Sequence, residues 1–270
     1  MGKIQRDDDS PFSSKPLEDV LNCVHRFLSL ALGRWAGVAL PIGFDKDGNR
    51  AFEQWGTLKA ASGSWKSSCS WFDAHHSGLL SDLFPAFFAR WKDDLWGPVI
   101  RTAIYWYVAA NDRRAGIGVD AGLILAQTAL ENLAWTYCVQ DRKMVSARAF
   151  DPGGLSAADR LRLLATALEI PTELPRNFRA LRAKRGRKWN DSADAITGIR
   201  NSVVHPAKKS EFAEGSYFEA WMLSLWFLDL VFLRLLGHEG KYANRLSQRC
   251  VGQVETVPWG KGADASTANE

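Results

Sequence analysis

Around residue 200 the chain places Arg200, Asn201 and His205 within six residues, with Pro206 directly after. A guanidinium, an amide and an imidazole so close together suit cleavage of a phosphodiester without a metal. That reaction needs a group of near-neutral pKa to take the ribose 2′-OH proton or to protonate the leaving oxygen, and His205 is suited to both. It also needs fixed positive charge against a phosphorane-like transition state, which Arg200 supplies with a permanent charge and a bidentate fork. On a regular helix Asn201 and His205 share a face, whereas Arg200 and His205 point about 140° apart. A dimer, or a helix that opens before Pro206, removes this mismatch, because the residue before proline is biased away from helical geometry. Asn201 is then placed to orient His205 or the phosphate. The same residues also suit an ordinary helix end, with Arg200 capping or paired to a carboxylate and His205 favoured by the helix dipole.

Spacing alone is weak. With 21 Arg and 5 His, an Arg-x4–6-His match is expected about once per chain by chance. Requiring Asn straight after the Arg lowers the expectation to roughly 0.04, and the match falls where an apolar helix closes. Charge supports the choice. Arg176, Arg179, Arg182, Lys184, Arg185, Arg187 and Lys188 carry seven positive charges with no acid between them, and Lys208 and Lys209 follow the motif. The rest of the chain is slightly acidic, so the overall +4 is a local excess of the kind RNA phosphates need. Arg182, Lys184, Arg185, Arg187, Lys188, Lys208 and Lys209 are the expected nucleic-acid contacts. Trp189 and Phe178 are the expected base-stacking rings. The bland counterpart is a solvated basic face.

With its apolar flank, the segment Ile199 to Pro206 resembles the R-x4-6-H signature of the HEPN superfamily, helical-bundle domains found in many bacterial toxins and abortive-infection proteins. The resemblance covers roughly residues 95–236 and includes the helix around Gln127 to Trp135 (QTALENLAW) and the apolar helix after the motif. It implies a metal-independent endoribonuclease without cofactors, acting as a homodimer whose two motifs face one another across a cleft. It also implies relatives that keep the bundle without the activity. An active RNase harms its host, so an antitoxin or regulatory subunit is an expected partner. Glu131 is a possible partner for Arg200.

Two other constellations are set aside. Gly116, Gly118 and Ala121 match a dinucleotide fingerprint with Asp141 downstream, but a charged run separates the first glycine from any strand-like segment. Cys69, Asp73, His75 and His76 offer ligand types without a second pair at zinc spacing, so no metal is expected.

The elements that must position the motif are helical. Apolar spacing predicts helices over 14–32, 79–91, 95–110, 119–139, 157–168, 175–185, 193–205 and 217–236, with Gly33 ending the first and Ser156 to Asp159 resembling a capping box. Segments 37–44 and 52–58 around the Asp45 to Asn49 turn read as a hairpin that pairs internally or with 250–257. The expected architecture is mainly α: a HEPN-like helical bundle over 79–248, preceded by a small α+β region over 1–75 and followed by a terminal strand and disordered tail over 249–270.

Composition is consistent with such a fold. The chain has 270 residues, 46% of them hydrophobic and 24% charged, so it has ample apolar surface for a core and is not generally disordered. The most apolar run, Trp221 to Leu236, has 16 residues and contains Asp229 and Arg234, which favours a buried helix over a membrane span. Four widely spaced cysteines imply no disulfide framework, and the first residues lack a secretory pattern, so a cytoplasmic setting without membrane contact is expected. A non-catalytic bundle, binding a partner or nucleotide through apolar surface at Trp221 and Trp226, is the competing class.

Overall fold

Apolar side chains three and four apart turn most of the chain into helices. The structure, a computed structural model, describes residues 10, 14–53, 55, 69–111, 118–205, 212, 215–247 and 252–261. In order these form α1 (Ser14–Leu32), β1 (Ile42–Phe44), β2 (Arg50–Glu53), α2 (Gly78–Lys92), α3 (Trp96–Asn111), α4 (Val119–Trp135), α5 (Ala147–Phe150), α6 (Ala157–Ala167), α7 (Arg179–Arg182), α8 (Ser192–Val204), α9 (Ser216–Leu235), β3 (Lys241–Tyr242) and β4 (Glu255–Thr256). The fold is mainly α, as expected.

The centre is α4, which packs against α3, α9, α6 and α8. Its buried face alternates large and small residues, Leu123, Ala126, Ala129, Leu130, Leu133 and Ala134, so neighbouring helices approach closely. Gly122 is part of that fit: a Cβ there would lie 2.7 Å from the Trp221 indole nitrogen of α9, which instead donates to the Ala110 carbonyl at 2.8 Å. Apolar nearly all round, α9 is correspondingly buried from Trp221 to Leu235 apart from a few positions. Trp221 and Trp226 are 3% and 7% exposed. They are core residues and offer no docking surface, which corrects the expectation placed on them. Among the described residues no helix is long and apolar enough to cross a membrane.

Asp229, the acid inside α9, is fully buried beside Arg245. The guanidinium donates to the carboxylate through Nε at 2.6 Å and Nη2 at 3.0 Å, to Asn111 Oδ1 at 3.0 Å and to the Tyr107 hydroxyl at 3.0 Å. Tyr107 donates in turn to Asp229 at 2.7 Å. Asn111 extends the network by donating to the carbonyls of Gly33 at 2.7 Å and Cys69 at 3.0 Å. One buried ion pair thus ties α3, α9, the end of α1 and the segment after β3 together. Burial alone would lower the Arg245 pKa, but Asp229 overrides it and raises the value. Burial, then the adjacent carboxylate, raise that of Tyr107.

Differences from expectation have local causes. The hairpin pairs internally but only over Ile42–Phe44 and Arg50–Glu53, with a bulge at Gly43 and Phe44. Pairing of the terminal strand is with Lys241–Tyr242. Beyond Trp135, α4 widens into a π-helical turn, Thr136–Asp141, where Asp141 accepts from the Trp96 indole at 3.1 Å. The helix expected over 175–185 shrinks to α7 because Glu219 of α9 accepts from the Ala180 and Leu181 amides at 3.2 and 2.9 Å, fixing its start. The capping box forms, with the Asp159 amide donating to Ser156 Oγ at 3.1 Å.

Candidate active site

The motif lies on α8, whose start is pinned from outside. Asp191 caps the helix by accepting from the Asp194 amide at 2.9 Å. Arg162 of α6 then grips Asp191 through Nε at 2.6 Å and Nη2 at 3.1 Å, reaches Asp194 at 2.9 Å, and also pairs with Asp159. Hydrogen bonds to Asp191 raise the Arg162 pKa despite partial burial. Ala193, Ala195, Ile196 and Ile199 sink into the core, leaving Arg200 and Asn201 half-buried on the last turn.

At that turn the helix opens as the following proline demands. His205 takes extended geometry, φ −116° and ψ 105°, with its amide still bonded to the Asn201 carbonyl at 3.0 Å. Its side chain is exposed. The helix therefore ends at the motif and does not continue through His205. Asn201 is turned toward the guanidinium rather than the imidazole: Arg200 Nη1 donates to Asn201 Oδ1 at 3.2 Å. Arg200 Nε is buried without a hydrogen-bond partner, and no ion pair among the described residues joins Arg200 to a carboxylate. Glu131 does not take that place, since it accepts from Gln127 Nε2 at 2.8 Å. Gln127 Oε1 is itself buried and unpartnered.

The basic stretch enters at the other end of α8. Arg182, Arg185, Arg187 and Lys188 are exposed and Lys184 is half-buried. Gly186, at φ +74°, reverses the chain and donates its amide to the Trp189 carbonyl at 2.8 Å. Trp189 anchors the turn from below, its indole nitrogen donating to the Leu181 carbonyl at 2.7 Å and its ring lying against Gly198. Trp189 and Phe178 are 3% and 7% exposed, so neither is a base-stacking platform, contrary to expectation. They hold the charged turn against the bundle. Thirteen residues at about 1.5 Å each put the two ends of α8 about 20 Å apart, so the helix carries the motif at one end and the charge at the other. Lys208 and Lys209 lie outside the described residues, as does Gly116 of the dinucleotide-like pattern.

Around Asp73 the ligand types are spent on structure. Its carboxylate caps the turn Ala74–His76 by accepting from the His75 amide at 2.8 Å and also accepts from the Gly252 amide at 2.9 Å. Among the described residues no group of three or more His, Cys, Asp or Glu has metal-binding geometry. Burial pushes the Cys138 thiol up to about 11 and that of Cys23 up to about 12, which makes both poor nucleophiles.

A mainly α bundle with a polar motif at one helix end is the class that these features define. The family model of the YopA C-terminal domain matches residues 93–256, and that of the YopA central domain matches residues 1–66. The chain belongs to the YopA C-terminal domain family. It is 27% identical over 263 residues to the SPbeta prophage-derived uncharacterized protein YopA of Bacillus subtilis (strain 168), an alignment covering 96% of this chain and 57% of that protein. The chain thus spans little more than half the length of that relative. No solved structure matches it.

Proposed function

We propose that this chain is a metal-independent endoribonuclease of HEPN type, working as a homodimer in a toxin or phage-defence setting. The observation that carries the reading is the state of Arg200: a half-buried guanidinium steadied by a neutral amide, with one donor unspent and, among the described residues, no carboxylate paired with it. A phosphate is the partner such a group suits best. The exposed imidazole of His205, five residues on and released from the helix, stands where a substrate can reach it.

In the reaction His205 accepts the 2′-OH proton as the 2′-oxygen forms a bond to phosphorus. The bond to the 5′-oxygen breaks, and that oxygen leaves with a proton from a protonated imidazole, which the motif of the second copy can supply. Arg200 holds the phosphate charge as it grows, and Asn201 keeps the guanidinium aimed. The products are a 2′,3′-cyclic phosphate and a 5′-hydroxyl. Arg182, Lys184, Arg185, Arg187 and Lys188 steer the backbone of the RNA toward α8. The prophage origin of the relative fits a setting of conflict between phage and host, with an antitoxin or regulatory subunit restraining the enzyme.

The test is cleavage of a labelled mixed-sequence RNA in EDTA by wild type, His205→Ala and Arg200→Ala, with the ends analysed. The expected result is cutting that survives EDTA, yields cyclic phosphate and disappears in both variants. A folded dimeric wild type that leaves RNA intact, or cutting that persists in both variants, overturns the proposal.

A further inference from the structure

The excursion of the chain between α1 and α2 leaves the bundle and returns to it at one point. Asn111 Nδ2 donates to the Gly33 carbonyl at 2.7 Å and to the Cys69 carbonyl at 3.0 Å, and Ser70 Oγ donates to the Ala31 carbonyl at 2.6 Å. These bonds close a neck from which the β1–β2 hairpin is carried. No helix packs on the hairpin as its two strands pack on each other. A two-stranded hairpin is marginal in water unless its apolar face is covered.

The register shows what that face carries. Ile42 lies opposite Glu53 and Phe44 opposite Arg50, so these four side chains share one side of the ribbon. Arg50 Nη1 accordingly reaches Glu53 Oε2 at 2.6 Å. Gly43 and Phe52 oppose each other on the other side. Ile42 and Phe44 are 42% and 64% exposed, and Trp55, two residues beyond Glu53, is 74% exposed. Phe44 and Trp55 alone thus leave roughly 300 Å² of aromatic surface in water, which approaches the largest apolar patch of a typical monomer.

We propose that this face is a dimer contact, occupied by the same face of a second copy of the chain. Charge selects the occupant. One Arg and one Glu leave the face neutral overall, so it offers no attraction to a polyanion. The two charges belong to opposite ends of the short strands, Arg50 beside Phe44 and Glu53 beside Ile42. A two-fold axis between two such faces, perpendicular to the strands, sets Phe44 of each copy on Ile42 of the other and Arg50 of each on Glu53 of the other. The face is therefore complementary to itself. Its apolar area falls below the roughly 800 Å² per partner of a standard interface, so the dimer is one that dilution separates. The argument uses no residue of α8 and does not depend on the cleavage reading.

The experiment is sedimentation equilibrium of the full chain from about 5 to about 500 µM. The wild type should dimerise in this range, and Phe44→Ser should weaken the dimer about tenfold or more. Arg50→Glu and Glu53→Arg should each weaken it about tenfold, because like charges then meet across the axis. Mixed in equal amounts, these two variants should associate as tightly as the wild type, although neither chain regains its own Arg50–Glu53 pair. That recovery separates a contact between copies from a hairpin loosened by substitution. A wild type that stays monomeric throughout, a dimer indifferent to Phe44→Ser, or a mixture no tighter than its components overturns the proposal. RNA cleavage by His205→Ala scores the α8 reading separately, so the failure of either is told apart from the failure of the other.

Discussion

Arg245 and Arg200 carry the same guanidinium in opposite circumstances. Every nitrogen of Arg245 donates to a partner inside the core, and Asp229 cancels its charge. Among the described residues Arg200 has one neutral partner, a buried donor left over and no carboxylate paired with it. A buried ion with all its hydrogen bonds answered has nothing to offer a ligand; its role is to fix which segments meet. An ion held in place by an amide keeps its electrostatic reach for something that arrives later. On the reading proposed for α8, the difference separates a structural arginine from a working one without reference to exposure alone.

The strongest way to break this comparison is to cancel the charge at the structural site. Asp229→Asn should cost about 3–5 kcal/mol, because it strands Arg245 in the core, and denaturant unfolding will read it. Replacing Asp229 and Arg245 together by Leu and Met should recover most of that loss. If Asp229→Asn unfolds at the wild-type midpoint, the network is not what joins the end of α1 and the segment after β3 to the bundle.

Next in size is the functional side. Arg200→Ala and His205→Ala should each lower RNA cleavage by about 10²-fold or more while shifting the melting midpoint little. A variant that loses activity and stability together would place Arg200 with Arg245 rather than opposite it.

A smaller effect belongs to the basic turn. Arg185→Gln with Arg187→Gln should leave the fold unchanged and flatten the dependence of RNA affinity on salt, by about one unit of log–log slope for each phosphate the turn no longer neutralises. An unaltered slope would make the turn a solvated face.

The smallest effect is one of pH. Burial holds the His238 imidazole below its ordinary 6.5, with Nε2 3.0 Å from the Lys241 carbonyl. The unfolded chain therefore takes up the proton first as pH falls, so this contribution to stability is complete above about 6.5 and is lost as pH drops through the folded value. Melting midpoints from pH 7.5 to 5 should fall less in His238→Gln than in wild type.

Much of this was legible along the chain because its causes are local. The bounds of α1 and the end of α8 follow from apolar spacing, from Gly33 at φ +60° and from the proline after His205. The Ser156 cap is a matter of four consecutive residues. The extended geometry of His205 was also readable, since proline restricts the residue before it.

What the sequence determined by itself, then, is the mainly helical class and the placing of Arg200, Asn201 and His205 at a helix terminus, because helix periodicity and capping act over three to five residues. Tertiary structure alone decided the partners: that Arg245 meets Asp229 from 16 positions away, that Arg162 pins the start of α8 from 29 away, and that Glu219 truncates α7. It alone turned Trp189 and Phe178 inward. Periodicity cannot register these outcomes, because a charged or amphipathic side chain is read the same way in sequence whichever neighbour it finds, and the neighbour is chosen when separate helices pack.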